Sequence, residues 1–169
     1  MPDNLDARKL PGPIPGVDEP PSHTHPHLRA SDNAPTELLN RFELAVHHLF
    51  TPPPEARVII EKHEIEAPTV AKNDPYFYRL FVQQLVENFS IIHPQVQQEL
   101  RQSNIYDDDL TDRLTKIGLV RATNIAIEKE VELMTDDLTG MPNRVYKERV
   151  LPFWLRVAME EGFPLTYGE

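Results

Sequence analysis

Apolar residues along this chain recur at three- and four-residue steps, the spacing of one face of a helix. Leu38, Leu39, Phe42, Ala45, Val46, Leu49 and Phe50 form the first such face, in a helix that starts near Asn33 with Pro35 in its first turn. Thr51-Pro52-Pro53-Pro54 stops it. Residues 55–66 read as helix or strand: Arg57-Val58-Ile59-Ile60-Glu61 fits a short strand, while the charged surroundings favour a helix. Asn73-Asp74-Pro75 has the form of a helix start, with Asp74 as cap and Pro75 at the first helical position. Phe77, Phe81, Leu85 and Phe89 then recur every four residues as a core stripe, and a separate short helix is expected after Pro94, using Val96 and Leu100.

The longest pattern follows the linker 103–109. Leu110, Leu114, Ile117, Val120, Ile127, Val131 and Met134 define its expected core face, interrupted at Asn124. Asp107, Asp108 and Asp109 stand at its start, where the helix dipole favours negative charge. A turn at Gly140-Met141-Pro142 leads into a last helix from about Pro142 to Glu161, bent by Pro152 and closed by Gly162. The pattern predicts an all-α fold, an irregular bundle of about five to six helices over residues 33–169. A long helix of this kind also hints at a seam with a partner.

Residues 1–32 break the pattern. Positions 1–35 hold eight of the 17 prolines, including Pro11-Gly12-Pro13-Ile14-Pro15-Gly16, and few apolar side chains to offset ordering entropy. They are expected to form an extended or disordered Pro/His-rich arm.

Composition then narrows the function. The 169 residues are 40% hydrophobic, enough for a core, with a formal net charge of -10. That charge disfavours nucleic-acid backbones and anionic membranes alike. No apolar run reaches the roughly 20 residues of a membrane span. The absence of cysteine excludes disulfides, thiolate metal sites and cysteine nucleophiles within the chain. With a polar N-terminus lacking a signal-peptide apolar stretch, the expected compartment is the cytoplasm.

Candidate chemistry is sparse. His23, His25 and His27 alternate in the arm and offer imidazoles to a divalent metal. Glu43 and His47 lie four apart on one helix face beside His48, a usable carboxylate–histidine ligand pair, but the further Glu-x-x-His pairs of a di-iron site are missing; Glu61, His63 and Glu64 have the wrong spacing. Asp107, Asp108, Asp109 and Asp112 lack the glycine and closing glutamate of a calcium loop. No phosphate-binding glycine loop, nucleophile elbow or zinc-protease motif occurs. The expectation is therefore a chain with no catalytic site, cofactor or resident metal of its own.

The last helix resembles a segment of nitrile hydratase and thiocyanate hydrolase β-type subunits. Tyr146, Glu148, Arg149, Leu151, Glu160 and Gly162 match in register, and Leu165-Thr166 one position late; Val150 stands where that family has tryptophan. The resemblance covers about 20 of the 169 residues. It implies a β-like subunit whose metal is held by the cysteines of another chain. Three readings follow: a helical, non-catalytic subunit or interaction module of a protein assembly or homo-oligomer; that β-like subunit; or a bundle using Phe77, Phe81 and Phe89 as a ligand pocket. For the first, Tyr146, Arg149, Phe153, Trp154 and Val157 are the expected interface.

Overall fold

The computed structural model describes residues 34–165, and the arm at 1–32, with His23, His25 and His27, lies outside them, as does Thr166. Six helices and no strand make up the described residues: α1 Ala34–Leu49, α2 Pro54–His63, α3 Thr69–Asn73, α4 Pro75–Gln102, α5 Asp108–Met134 and α6 Arg144–Glu161. The fold is all-α, as the periodicity predicts.

The ambiguous segment is helix α2. Its buried residues Ala56, Ile59 and His63 sit at three- and four-residue steps, and Glu64 ends it in the left-handed conformation. The five-residue α3 after Pro68 is too short to leave a periodic signature and is absent from the sequence reading. Asp74 caps α4 as expected, its carboxylate accepting the Tyr76 amide at 2.8 Å.

Two expectations are corrected. No separate helix begins at Pro94, because α4 runs unbroken through it. The proline removes one amide donor, yet the helix is held from outside: His93 stacks on Phe89 at 5.0 Å and its Nδ1 lies 3.2 Å from Thr115 Oγ1 on α5, while Leu100 is buried beyond the proline. Tertiary contacts of this kind outweigh one lost hydrogen bond.

The second correction concerns α5. The residues it buries are Thr111, Thr115, Leu119, Thr123, Ile127 and Met134, at four-residue steps as far as Ile127. Of the expected face, Leu114 and Ile117 are exposed, Ile117 to 64%, and Leu110, Val120 and Val131 are only half-buried. The cause lies in how closely α4 and α5 approach. At Gly118 an added Cβ would stand 2.9 Å from Ile92 Cγ2, so a small residue is required there. The buried threonines are small, and each hydroxyl has a partner: Thr111 donates to the Asp107 carbonyl at 2.8 Å, Thr115 meets His93, and Thr123 accepts from Asn88 Nδ2 at 3.3 Å. A satisfied threonine is an acceptable core residue.

The core gathers Ile59 and Ile65 around α2, Phe77, Phe81 and Leu85 of α4, Leu119, Ile127 and Met134 of α5, and Val150 of α6. Asn143 ties α5 to α6. Its amide donates to the carbonyls of Leu133 (2.8 Å) and Thr135 (3.2 Å), and its Oδ1 accepts the amides of Val145 and Tyr146 as the α6 cap. That cap starts the last helix at Arg144, two residues beyond the expected Pro142. α1 lies at the edge: of its predicted face only Ala45 is buried, while Leu38, Leu39 and Phe42 are exposed.

The continuity of α4 gives a direct test. Pro94→Ala restores the amide donor inside an exposed helix turn and should stabilise the protein by about 1–3 kcal/mol in chemical denaturation. If a helix instead began at residue 94, where proline is favoured, the change would be neutral or destabilising.

Candidate functional site

Three of the expected interface residues remain accessible and two do not. Phe153 and Val157 are buried against the chain's own core, whereas Tyr146 and Trp154 are half-buried and Arg149 is exposed. Trp154 is the centre of the arrangement, because it lines two apolar clefts. The first, about 500 Å³, runs along α6 over Tyr146, Val150 and Leu151 towards Pro142. The second, about 430 Å³, lies between α1 and the end of the chain, lined by Leu38, Leu39, Phe42, Phe163 and Leu165. The sharing of Trp154 joins them into one surface.

Gly162 makes the second cleft possible. It ends α6 at φ +67°, a conformation that disfavours any side chain, and an added Cβ would come within 3.0 Å of Arg41 Nη2. Past this turn Phe163 returns onto Phe42, ring to edge at 5.6 Å, and Arg41 donates to the Glu161 carbonyl at 2.8 Å.

Beside this surface Glu130 of α5 binds α4 to α6. It accepts from Tyr76 Oη at 3.1 Å and forms an ion pair with Arg149. Burial raises the Tyr76 hydroxyl pKa and the Glu130 hydrogen bond raises it further, so Tyr76 remains a proton donor at neutral pH. The same carboxylate raises the Arg149 pKa above its ordinary value. Periodicity alone could not foresee this node, since its three members come from three helices.

The candidate metal ligands on α1 are not assembled. Glu43, His47 and His48 all stand exposed on α1, and no cluster of three His, Asp or Glu residues fit to hold a metal occurs among the described residues. Asp107 caps α5 through the Leu110 amide, Asp109 pairs with Arg113, and Asp112 pairs with Lys62 at 2.9 Å. Phe77 and Phe81 are core residues rather than pocket walls, and half-buried Phe89 packs on His63 and His93.

His63 reads in the sequence only as a metal ligand of the wrong spacing, which misses its burial. It is 3% exposed, its ring lies 5.8 Å from that of Phe89, and its Nε2 is buried with no hydrogen-bond partner. The signal was its four-residue step from Ile59 on the buried face of α2. Compared with protein-family models, curated proteins and solved structures, the chain matches none.

Burial lowers the His63 pKa below 6.5, with Lys62 and His93 acting in the same direction and Asp112 opposing. The unfolded chain therefore binds a proton more readily than the folded one as pH falls through about 6.5, and stability is lost on the acid side. His63→Leu removes that contribution. The fall in melting temperature between pH 7 and pH 5.5 should be smaller in the variant than in the wild type. An identical fall in both would show that His63 is not a source of acid sensitivity.

Proposed function

We propose that this chain is a non-catalytic helical interaction module, a subunit or adaptor of a larger assembly, that docks a protein partner over the apolar surface around Trp154. One observation carries the reading: two apolar clefts share that tryptophan, and the second exposes Leu38, Leu39 (56%) and Phe42. Joined apolar clefts around a half-buried aromatic are the form of an interface hot spot. The expected contact set becomes Tyr146, Leu151 and Trp154 of α6 with Leu38, Leu39 and Phe42 of α1.

The charge favours a different protein over a second copy. Two chains at net -10 repel one another, while a partner of opposite charge is drawn in. The nitrile hydratase-type alternative rests on the resemblance in α6. In this chain Glu148 pairs with Arg144 at 2.6 Å, Arg149 pairs with Glu130, and Gly162 ends the helix, so three of the matching residues also serve the fold itself.

Affinity purification of the full chain at native expression should recover a stoichiometric protein partner. Trp154→Ala should weaken that complex by about 2 kcal/mol or more, roughly thirtyfold in affinity. Because Trp154 is half-buried, Leu39→Asp provides an exposed second variant, expected to weaken binding while keeping the wild-type melting temperature. Recovery of the wild type as a lone monomer, or partner binding unchanged in both variants, would contradict the proposal. A cysteine-containing, metal-bearing partner would select the nitrile hydratase-type form of it.

A further inference from the structure

A separate cleft, of about 260 Å³, opens between α4 and α6 and shares no lining residue with the apolar clefts around Trp154. Tyr76, Arg79, Leu80 and Gln83 line it from one face of α4, and Arg149, Pro152, Phe153 and Arg156 from one face of α6. Both sets follow helical spacing: 76, 79, 80 and 83 on one helix, 149, 152, 153 and 156 on the other. Three arginines thus line one cavity in a chain with 17 basic and 27 acidic residues. Among the described residues, no aspartate or glutamate lines it.

The local hydrogen bonds make the imbalance sharper. Glu130, bonded to two of the lining residues, is already engaged by Tyr76 Oη and Arg149. Gln83 directs its amide nitrogen to Glu87 at 3.0 Å. Arg79 and Arg156 have no hydrogen-bond or ion-pair partner among the described residues. Like charges held together in this way repel, and an entering anion relieves that repulsion. Leu80, Pro152 and Phe153 provide apolar walls beside the exposed arginines.

We propose that this α4–α6 cleft binds a small ligand bearing a compact oxyanion, with Arg79 and Arg156 as its principal contacts and Arg149, held by Glu130, as the third. Guanidinium forks match the paired oxygens of phosphate and carboxylate, which a lysine cluster would not do with the same geometry. The volume equals roughly nine waters at about 30 Å³ each, room for the oxyanion and a short substituent. It falls below the roughly 300–1,000 Å³ of pockets that enclose drug-sized molecules. The site is independent of the proposed docking surface, and each stands or falls without the other.

The test is a titration of the isotope-labelled full chain with inorganic phosphate and, separately, with malonate, at ionic strength held constant with sodium chloride. Saturable shifts of the arginine side-chain resonances are expected, with a Kd of about 1 mM or tighter for at least one probe. Tighter phosphate binding would assign a phosphate ester, and tighter malonate binding a dicarboxylate. Arg79→Gln with Arg156→Gln should weaken binding by about tenfold or more. Arg79→Lys, which keeps the charge but not the fork, should fall between wild type and that double variant. Arg101→Gln with Arg121→Gln, at exposed positions elsewhere, should leave binding unchanged. All three variants change exposed side chains and should keep the wild-type melting temperature. Linear, unsaturated shifts with both probes would overturn the proposal, as would equal binding by wild type and the Arg79/Arg156 double variant.

Discussion

The close approach of α4 and α5 is the constraint on which the rest of the structure depends. Gly118 admits Ile92, with space for no Cβ, and Thr111, Thr115 and Thr123 are buried on the same helix. His93 and Asn88 of α4 satisfy two of those hydroxyls across the seam. A pair of helices fixed at this spacing gives α2 and α3 a floor, carries Pro94 within a continuous helix, and brings Glu130 to the position where it joins Tyr76 to Arg149.

The same packing choice sets the character of the surface. With threonine turned inward on α5, Leu114, Ile117 and Ile125 remain on the solvent side. Across the molecule, α1 leaves Leu38, Leu39 and Phe42 uncovered, and Gly162 turns Phe163 back to wall off the cleft beside Trp154. A chain of high negative charge thus carries apolar clefts on one surface and a convergence of arginines between α4 and α6. Those two surfaces differ in chemistry, which is why the occupants proposed for them differ, a protein for one and a small oxyanion for the other.

Much of the fold was legible because helices announce themselves through periodicity and caps. Asp74-Pro75, the aspartates before α5 and Gly162 all do in the structure what their residue types predict. The α5 face was misread because apolar periodicity ranks Leu114 and Ile117 above threonine. The energetic value of Thr115 and Thr123 depends on partners in α4, which no local window contains. Pro94 misled in a similar way, since a proline signals a helix boundary unless outside contacts hold the helix through it. Trp154, the residue on which the proposed docking surface centres, stands out by type alone. The burial of Phe153 and Val157, the orphaned Nε2 of His63 and the gathering of Arg79 with Arg156 arise from helices meeting in space.

The register of α5 against α4 is the central claim, and the lack of native cysteine makes it directly measurable. Single cysteines at Thr115, 0% exposed, and at Ile117 would be labelled with a soluble thiol reagent in the folded protein. The account predicts fast labelling of Ile117→Cys and strong protection of Thr115→Cys, lost on denaturation. Protection at 117 with rapid labelling at 115 would place the apolar stripe inward and contradict the packing described.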